Sequence, residues 1–197
     1  MIKIDLHLHT SASFDCRVPP EQVAERCRRL GLAPIVVTDH DTIAGALELR
    51  QRHPDAIAGQ ELMTKEGELM GLFLSRPVKG DLTPEAAVDA IKEQGGLVCL
   101  QHPYDPSRRH LSQAAIERIA AQIDIVEVVN GRADPHANQK AQELCTVLGT
   151  PAGAGSDAHT LREIGRVYVE MPAFSDAADF LDKLRQGRIV RKKTWMA

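Results

Sequence analysis

Aromatic residues make up only 4% of this 197-residue chain, too few to line a stacking track for single-stranded nucleic acid. An excess of positive charge is missing as well. The formal net charge is −3, so no global field draws the chain to a polyanion. A phosphate-bearing ligand would need positive charge supplied locally, by arginines or metal ions. The four cysteines (Cys16, Cys27, Cys99 and Cys145) include no CxxC pair and no dense run. That excludes a disulfide framework and a thiolate zinc site, and points to reduced thiols in the cytoplasm. No apolar window approaches the length that spans a bilayer, and the N-terminus enters a strand pattern at once, without a basic segment leading into an apolar one. Repeats and low-complexity linkers are also lacking. What remains is an ordinary globular composition, 43% hydrophobic and 26% charged, at a length that suits one domain over 1–197.

Short β-rich runs alternate with helical stretches, the pattern of parallel strands joined by crossover helices. Strands are expected over 2–9, 34–40, 56–62, 97–103, 124–130, 151–159 and 166–171, with one more over 67–75 hairpin-paired to the third. Helices fit "PPEQVAERCRRLG", "TIAGALELRQRH", "TPEAAVDAIKEQGG", "SQAAIERIAAQ", "PHANQKAQELCTVLG" and "SDAADFLDKLRQG". Pro20 suits a first turn and Gly31 a C-terminal cap, while Thr83 and Ser175-Asp176 suit helix starts. About seven βα units in so short an α/β chain suggest a small closed or nearly closed barrel.

In such architectures functional groups gather at the C-terminal ends of the strands. This sequence places His7 and His9 after the first strand, Asp39, His40 and Asp41 after the second, and Glu61 on the third. His102 ends the fourth, Asn130 the fifth, and Asp157 and His159 the sixth. Five of the eight histidines fall at strand ends, a sorting that independent surface histidines have no reason to show. Strand alternation puts His7 and His9 on one side, with Cα atoms roughly 6.5 Å apart, and Leu6 and Leu8 on the other, toward the covering helices. "SDAH" repeats the device with Asp157 and His159. Asp5 lies one layer deeper, where it can orient an imidazole or hydrogen-bond inside the barrel. Imidazole nitrogen mixed with carboxylate oxygen, without thiolate, suits Zn²⁺, Mn²⁺ or Fe²⁺. So many donors exceed what one ion needs.

In this order and at these separations, "DLHLHT", "TDHD", "GQE", "QHP" and "GSDAH" resemble the polymerase and histidinol phosphatase (PHP) family of metal-dependent phosphoesterases. The resemblance implies a distorted, TIM-like (β/α)7 barrel and two or three divalent ions. One ion would be held by His7, His9, Glu61 and Asp157. A second would share Glu61 and add His102, and a third would take Asp15, His40 and His159. Glu61, Asp157 and His159 become the catalytic candidates. The chain departs from the commonest pattern at "VVNGR", where Asn130, a weak neutral ligand or a supporting residue, stands in place of a histidine or acid. It also lacks a long insertion between Glu61 and Asp157, so no capping domain is expected there and specificity falls to short loops.

By resemblance the activity is hydrolysis of a phosphate ester. The ions lower the pKa of a bridging water and clamp the phosphoryl oxygens, and a histidine or an ion-bound water protonates the leaving alkoxide. Arg17, Arg108, Arg109, Arg132 and Arg162 are candidates for the non-reacting oxygens. The expected substrate is a small phosphorylated molecule, a nucleotide or a short oligonucleotide, without stable nucleic-acid binding or a membrane partner. The basic "RIVRKKTW" reads as a solvated face. Two rivals stand beside this reading. One is a metal-dependent amidohydrolase, disfavoured because "LVCLQHP" has no lysine to carboxylate; the other is a non-catalytic metal-binding regulatory domain.

Overall fold

The computed structural model describes residues 1–192. All six expected helices form: α1 Pro20–Leu30, α2 Ala44–Arg50, α3 Pro84–Lys92, α4 Gln113–Ile119, α5 Pro135–Leu148 and α6 Ala177–Leu184. Their boundaries follow local chemistry. Pro20 opens α1, whose C-terminal turn is closed by Gly31 in the left-handed region at φ 70°, a conformation glycine adopts without Cβ strain. The side chains of Thr83, Ser112, Asp134 and Asp176 accept first-turn N–H groups, satisfying donors that a helix start leaves free. No helix among the described residues is long and apolar enough to cross a membrane.

The described residues contain ten strands: β1 Ile2–Ile4, β2 Val36–Val37, β3 Ile57–Ala58, β4 Gln60–Thr64, β5 Gly67–Leu72, β6 Leu97–Leu100, β7 Ile125–Asn130, β8 Ala152–Gly155, β9 Val167–Met171 and β10 Arg188–Arg191. The expected hairpin is β4–β5, with Glu61 opposite Met70. The expected barrel, however, does not close as a continuous ladder. The strands form three sheets, ordered β1-β9-β10, β2-β3 and β4-β5-β6-β7-β8. β1 runs antiparallel to β9 and keeps regular pairing only to Ile4. Beyond it the chain turns to other neighbours: Leu6 N–H donates to the Ala154 carbonyl (3.3 Å), His9 N–H to that of Ala158 (3.1 Å), and Thr38 N–H to that of Leu8 (2.9 Å). Single main-chain bonds therefore join the sheets where ladders were expected. The fold is mixed α/β.

The core divides along the same lines. Leu8 packs in a cluster with Val23, Ala24 and Ile43, whereas Leu6 joins a second cluster with Ile4, Cys99, Ile125 and Phe180. Both leucines are buried, but in different clusters, because the regular strand ends at Ile4, before either of them. The second cluster shares strand faces with two acids: Met70 is the register partner of Glu61, and Ile125 precedes Glu127 by two residues on β7. A dry apolar floor thus lies under the polar end. β10 was not expected. Its Arg188 and Arg191 are exposed, as a solvated face requires; Lys193, Thr194 and Trp195 of "RIVRKKTW" lie outside the described residues.

Candidate metal centre

Six segments deliver their polar side chains to one point. The Nε2 atoms of His7 and His9 are 3.1 Å apart, and Glu61 Oε2 lies 3.1 Å from the first and 3.3 Å from the second. Asp157 Oδ1 lies 3.6 and 3.4 Å from the same two nitrogens. His7, His9 and Glu61 form one group that could hold an ion, and His7, His102 and Asp157 another. An ion with bonds of about 2.0–2.1 Å to nitrogen and oxygen separates its ligand atoms by about 3.3 Å, close to the distances among His7, His9 and Glu61. The other oxygen of Glu61, Oε1, is 2.7 Å from His102 Nε2, which lets a single carboxylate serve two neighbouring positions. On the outer side Asp15 Oδ2 lies 2.9 Å from His159 Nε2 and 3.4 Å from His40 Nε2. All eight expected ligands are therefore gathered.

They do not arrive as strand alternation supposed. β8 ends at Gly155, and Asp157 reaches the cluster through a left-handed backbone (φ 53°), as does His102 (φ 28°) just past β6. Left-handed residues other than glycine are uncommon and concentrate where function demands a particular aim. The close approach of β8 to the first strand depends on Gly155, where a Cβ would stand 2.3 Å from His7 Cβ and 2.9 Å from Glu127 Oε1. Gly155→Ala is expected to lower stability by about 1–3 kcal/mol, read by thermal denaturation. It should also weaken metal binding, because His7 must shift; unchanged melting would show that the strands can separate without cost.

The electrostatics follow from burial and opposite charge. Burial pushes the His9 imidazole down, but Asp157 and Glu61 outweigh it and raise it to about 9. His7 is likewise raised well above its ordinary value, by Glu127, Asp157 and Glu61 against burial. Burial works against the charged forms of Glu61 and Asp157 too, yet the surrounding histidines hold both below the usual carboxylate range. The half-buried His40 and His159 are lowered, chiefly by burial. The cluster is rich in carboxylate and attracts cations, a property that metal ions and protons share.

Several expectations are corrected here. Asp5 does not touch an imidazole. Its carboxylate accepts main-chain N–H groups of His7 (3.3 Å), Ser156 (2.8 Å) and Gly165 (3.1 Å), and burial pushes it up to about 6. The residue that orients His7 is Glu127, whose Oε1 is 3.0 Å from His7 Nδ1. Asn130 turns its oxygen away from the donors: Oδ1 accepts N–H from Arg132 (2.9 Å) and Ala133 (3.1 Å), and Nδ2 donates to Glu127 and Asp157. It supports rather than ligates. Asp39 is held by Thr10, and Asp41 accepts from Met63 N–H. Of the arginines, Arg108, Arg109 and Arg132 line the cavity over the cluster. Arg108 donates to Asp157 Oδ2 (2.8 Å) and Arg132 to His159. Arg17 and Arg162 are exposed and outside that lining.

The sequence reading also missed Glu68. It is 92% buried beside the cluster, since its exposure is 8%. Its Oε2, which has no hydrogen-bond partner, lies 4.0 Å from His102 Nε2. Burial and the nearby Glu61 push its carboxyl up to about 7. The signal for Glu127 and Glu68 was available, as each is an acid inside an otherwise apolar strand run.

Comparisons with known proteins agree with this geometry. A PHP domain family model matches residues 5–95 and a PHP-associated one residues 135–189. Two uncharacterized proteins of Methanocaldococcus jannaschii are similar. One is 31% identical over 175 residues, 86% of this chain and 70% of the relative. The other is 34% identical over 143 residues, 66% and 82% respectively. A two-domain protein from Bacteroides vulgatus, containing a predicted PHP-like metal-dependent phosphoesterase, superposes with a TM-score of 0.77 at 20% identity. The match covers 96% of this chain and 64% of that one, so the chain spans less than two thirds of that protein. The lesion-specific endonuclease Q of Pyrococcus furiosus superposes with a TM-score of 0.67 at 18% identity, over 95% of this chain and 57% of that one. At these identities the solved structures establish a shared fold.

Proposed function

Because the chain belongs to the PHP family, we propose that it is a metal-dependent hydrolase of phosphate esters, built as one domain over 1–197 with its three linked sheets forming a distorted (β/α)7 barrel. The observation that carries the reading is the convergence of Glu61 and Asp157 on His7 and His9, with each carboxylate oxygen 3.1–3.6 Å from both Nε2 atoms. A second ion would share Glu61 and take His102, with the unpartnered Glu68, which groups with His40 and Glu61, a further donor. Asp15, His40 and His159 would hold a third. When bound, such ions supply an activated water and positive charge against the phosphoryl oxygens; Zn²⁺, Mn²⁺ and Fe²⁺ all suit the donors.

The chain's own residues do the rest. Glu61, with its two oxygens beside different histidines, would be a donor to both positions. Glu127 holds His7 with Nε2 turned to the cluster. Arg108, Arg109 and Arg132 bring fixed positive charge to the cavity for the non-reacting oxygens. Glu61, Asp157 and His159 are the residues whose loss should stop turnover. The cavity, about 200 Å³, admits a phosphoryl group and part of its ester. The fold shared with endonuclease Q, seen in complex with a duplex bearing an abasic lesion, is consistent with nucleic-acid esters among the substrates. Four free, buried cysteines fit a reducing compartment, the cytoplasm.

Elemental analysis of the purified protein is expected to find about two or three divalent ions per chain. Turnover of a phosphomonoester or short oligonucleotide should be lost with a chelator and restored by Mn²⁺. A protein that binds no metal, or that hydrolyses equally well after chelation, would overturn the reading.

A further inference from the structure

Phe14 is 85% exposed at the mouth of the metal-centre cavity, in a chain that has four phenylalanines. Its loop is firmly held. Ser11 N–H donates to the Val18 carbonyl (2.7 Å) and Ser13 N–H to that of Thr10 (3.0 Å). Ser13 Oγ accepts from His40 N–H (2.9 Å) and meets His9 Nδ1 (3.1 Å), and Asp15 faces His159. The ring is therefore kept in water by its neighbours, although a large apolar side chain gains nothing for folding there. It stands 5.0 Å from the His40 imidazole at a 35° tilt, and its exposure leaves most of its surface open to an incoming ring. Every other residue lining the cavity is polar or ionisable.

That combination selects for a substrate. An aliphatic leaving group would find one ring and no apolar wall. A flat heteroaromatic with polar edges can stack on the ring and keep its edges among polar groups. We propose that Phe14 is a stacking platform for the nucleobase of a nucleotide-type substrate whose phosphate enters the cavity beside Arg108, Arg109 and Arg132. The inference rests on the phosphoesterase reading and narrows its substrate class to nucleoside phosphates. One ring holds one base, in keeping with a chain too poor in aromatics to bind a long single strand.

Adenosine 5′-monophosphate and ribose 5-phosphate carry the same ester and differ by the base, so they form the test pair for Mn²⁺-loaded protein. The wild type is expected to favour the nucleotide about tenfold in kcat/KM, through KM. Phe14→Ala should bring that ratio close to one, and Phe14→Trp should preserve it. No preference in the wild type, or a preference that survives Phe14→Ala, overturns the proposal. If neither ester turns over, calorimetric binding of the two compounds to the Mn²⁺-loaded protein decides separately. A tenfold binding preference dependent on Phe14 would keep the platform whether or not these two esters are hydrolysed, and equal binding would remove the platform.

Discussion

Glu61→Gln is expected to cut metal-dependent hydrolysis by roughly a thousandfold or more, the rate equivalent of about 4 kcal/mol of transition-state stabilisation. No other side chain touches so much of the cluster at once. Its Oε2 lies 3.1, 3.3 and 3.6 Å from ring nitrogens of His7, His9 and His40, and its Oε1 lies 2.7 Å from His102. Glutamine keeps the shape but loses the charge, and its NH₂ group must face one of these two sets of nitrogens. The ions on either side then lose a shared anionic donor, so metal content should fall together with kcat. Circular dichroism checks that the fold survives. A folded variant with full metal content and kcat within tenfold of wild type would refute the bridging role.

Glu127→Gln is expected to weaken metal binding by about 10–100-fold, the usual effect of losing a carboxylate that orients a ligating imidazole. Glu127 Oε1 accepts from His7 Nδ1–H, so that with an ion bound the Nε2 lone pair would be left for the metal. Its Oε2 meanwhile accepts from His102 N–H (2.9 Å) and Asn130 Nδ2 (3.0 Å). One carboxylate thus positions two ligands from different strands. A glutamine supplies a single oxygen for three donors. Competition with a chromogenic chelator gives the affinity, and melting of the metal-free protein separates lost orientation from a damaged fold. An unchanged Kd for Mn²⁺ would assign Glu127 to folding alone.

How much of this was legible in the sequence depends on the range of the interaction concerned. Helices were readable because their signals are local: Pro20 at a first turn, Gly31 where the backbone turns left-handed, and Asp176 capping its own next turn. The hairpin of β4 and β5 was readable for the same reason. Sheet closure was not. Whether residues 5–9 continue a ladder with β9 or pass to β8 and β2 is set by competition among distant partners, and no local pattern records its outcome. Alternation grouped His7 and His9 correctly, although both stand past Ile4, where the regular strand ends. For Asp157 and His159 it reached the right grouping by the wrong route, since the left-handed backbone at Asp157 breaks the period.

The sequence by itself determined which residue types stand at the strand ends, the histidines and acids of the cluster, and the shortage of cationic charge that would leave any phosphate ligand to ions or a few arginines. Only the tertiary structure decided their division of labour. It gave the second nitrogen of His7 to Glu127 rather than Asp5, turned Asn130 inward to its own loop, brought Glu68 to the cluster, and separated Arg108, Arg109 and Arg132 from Arg17 and Arg162. Each choice depends on which atoms lie within about 3 Å across the fold, and sequence spacing sets distances only within a turn or along a strand.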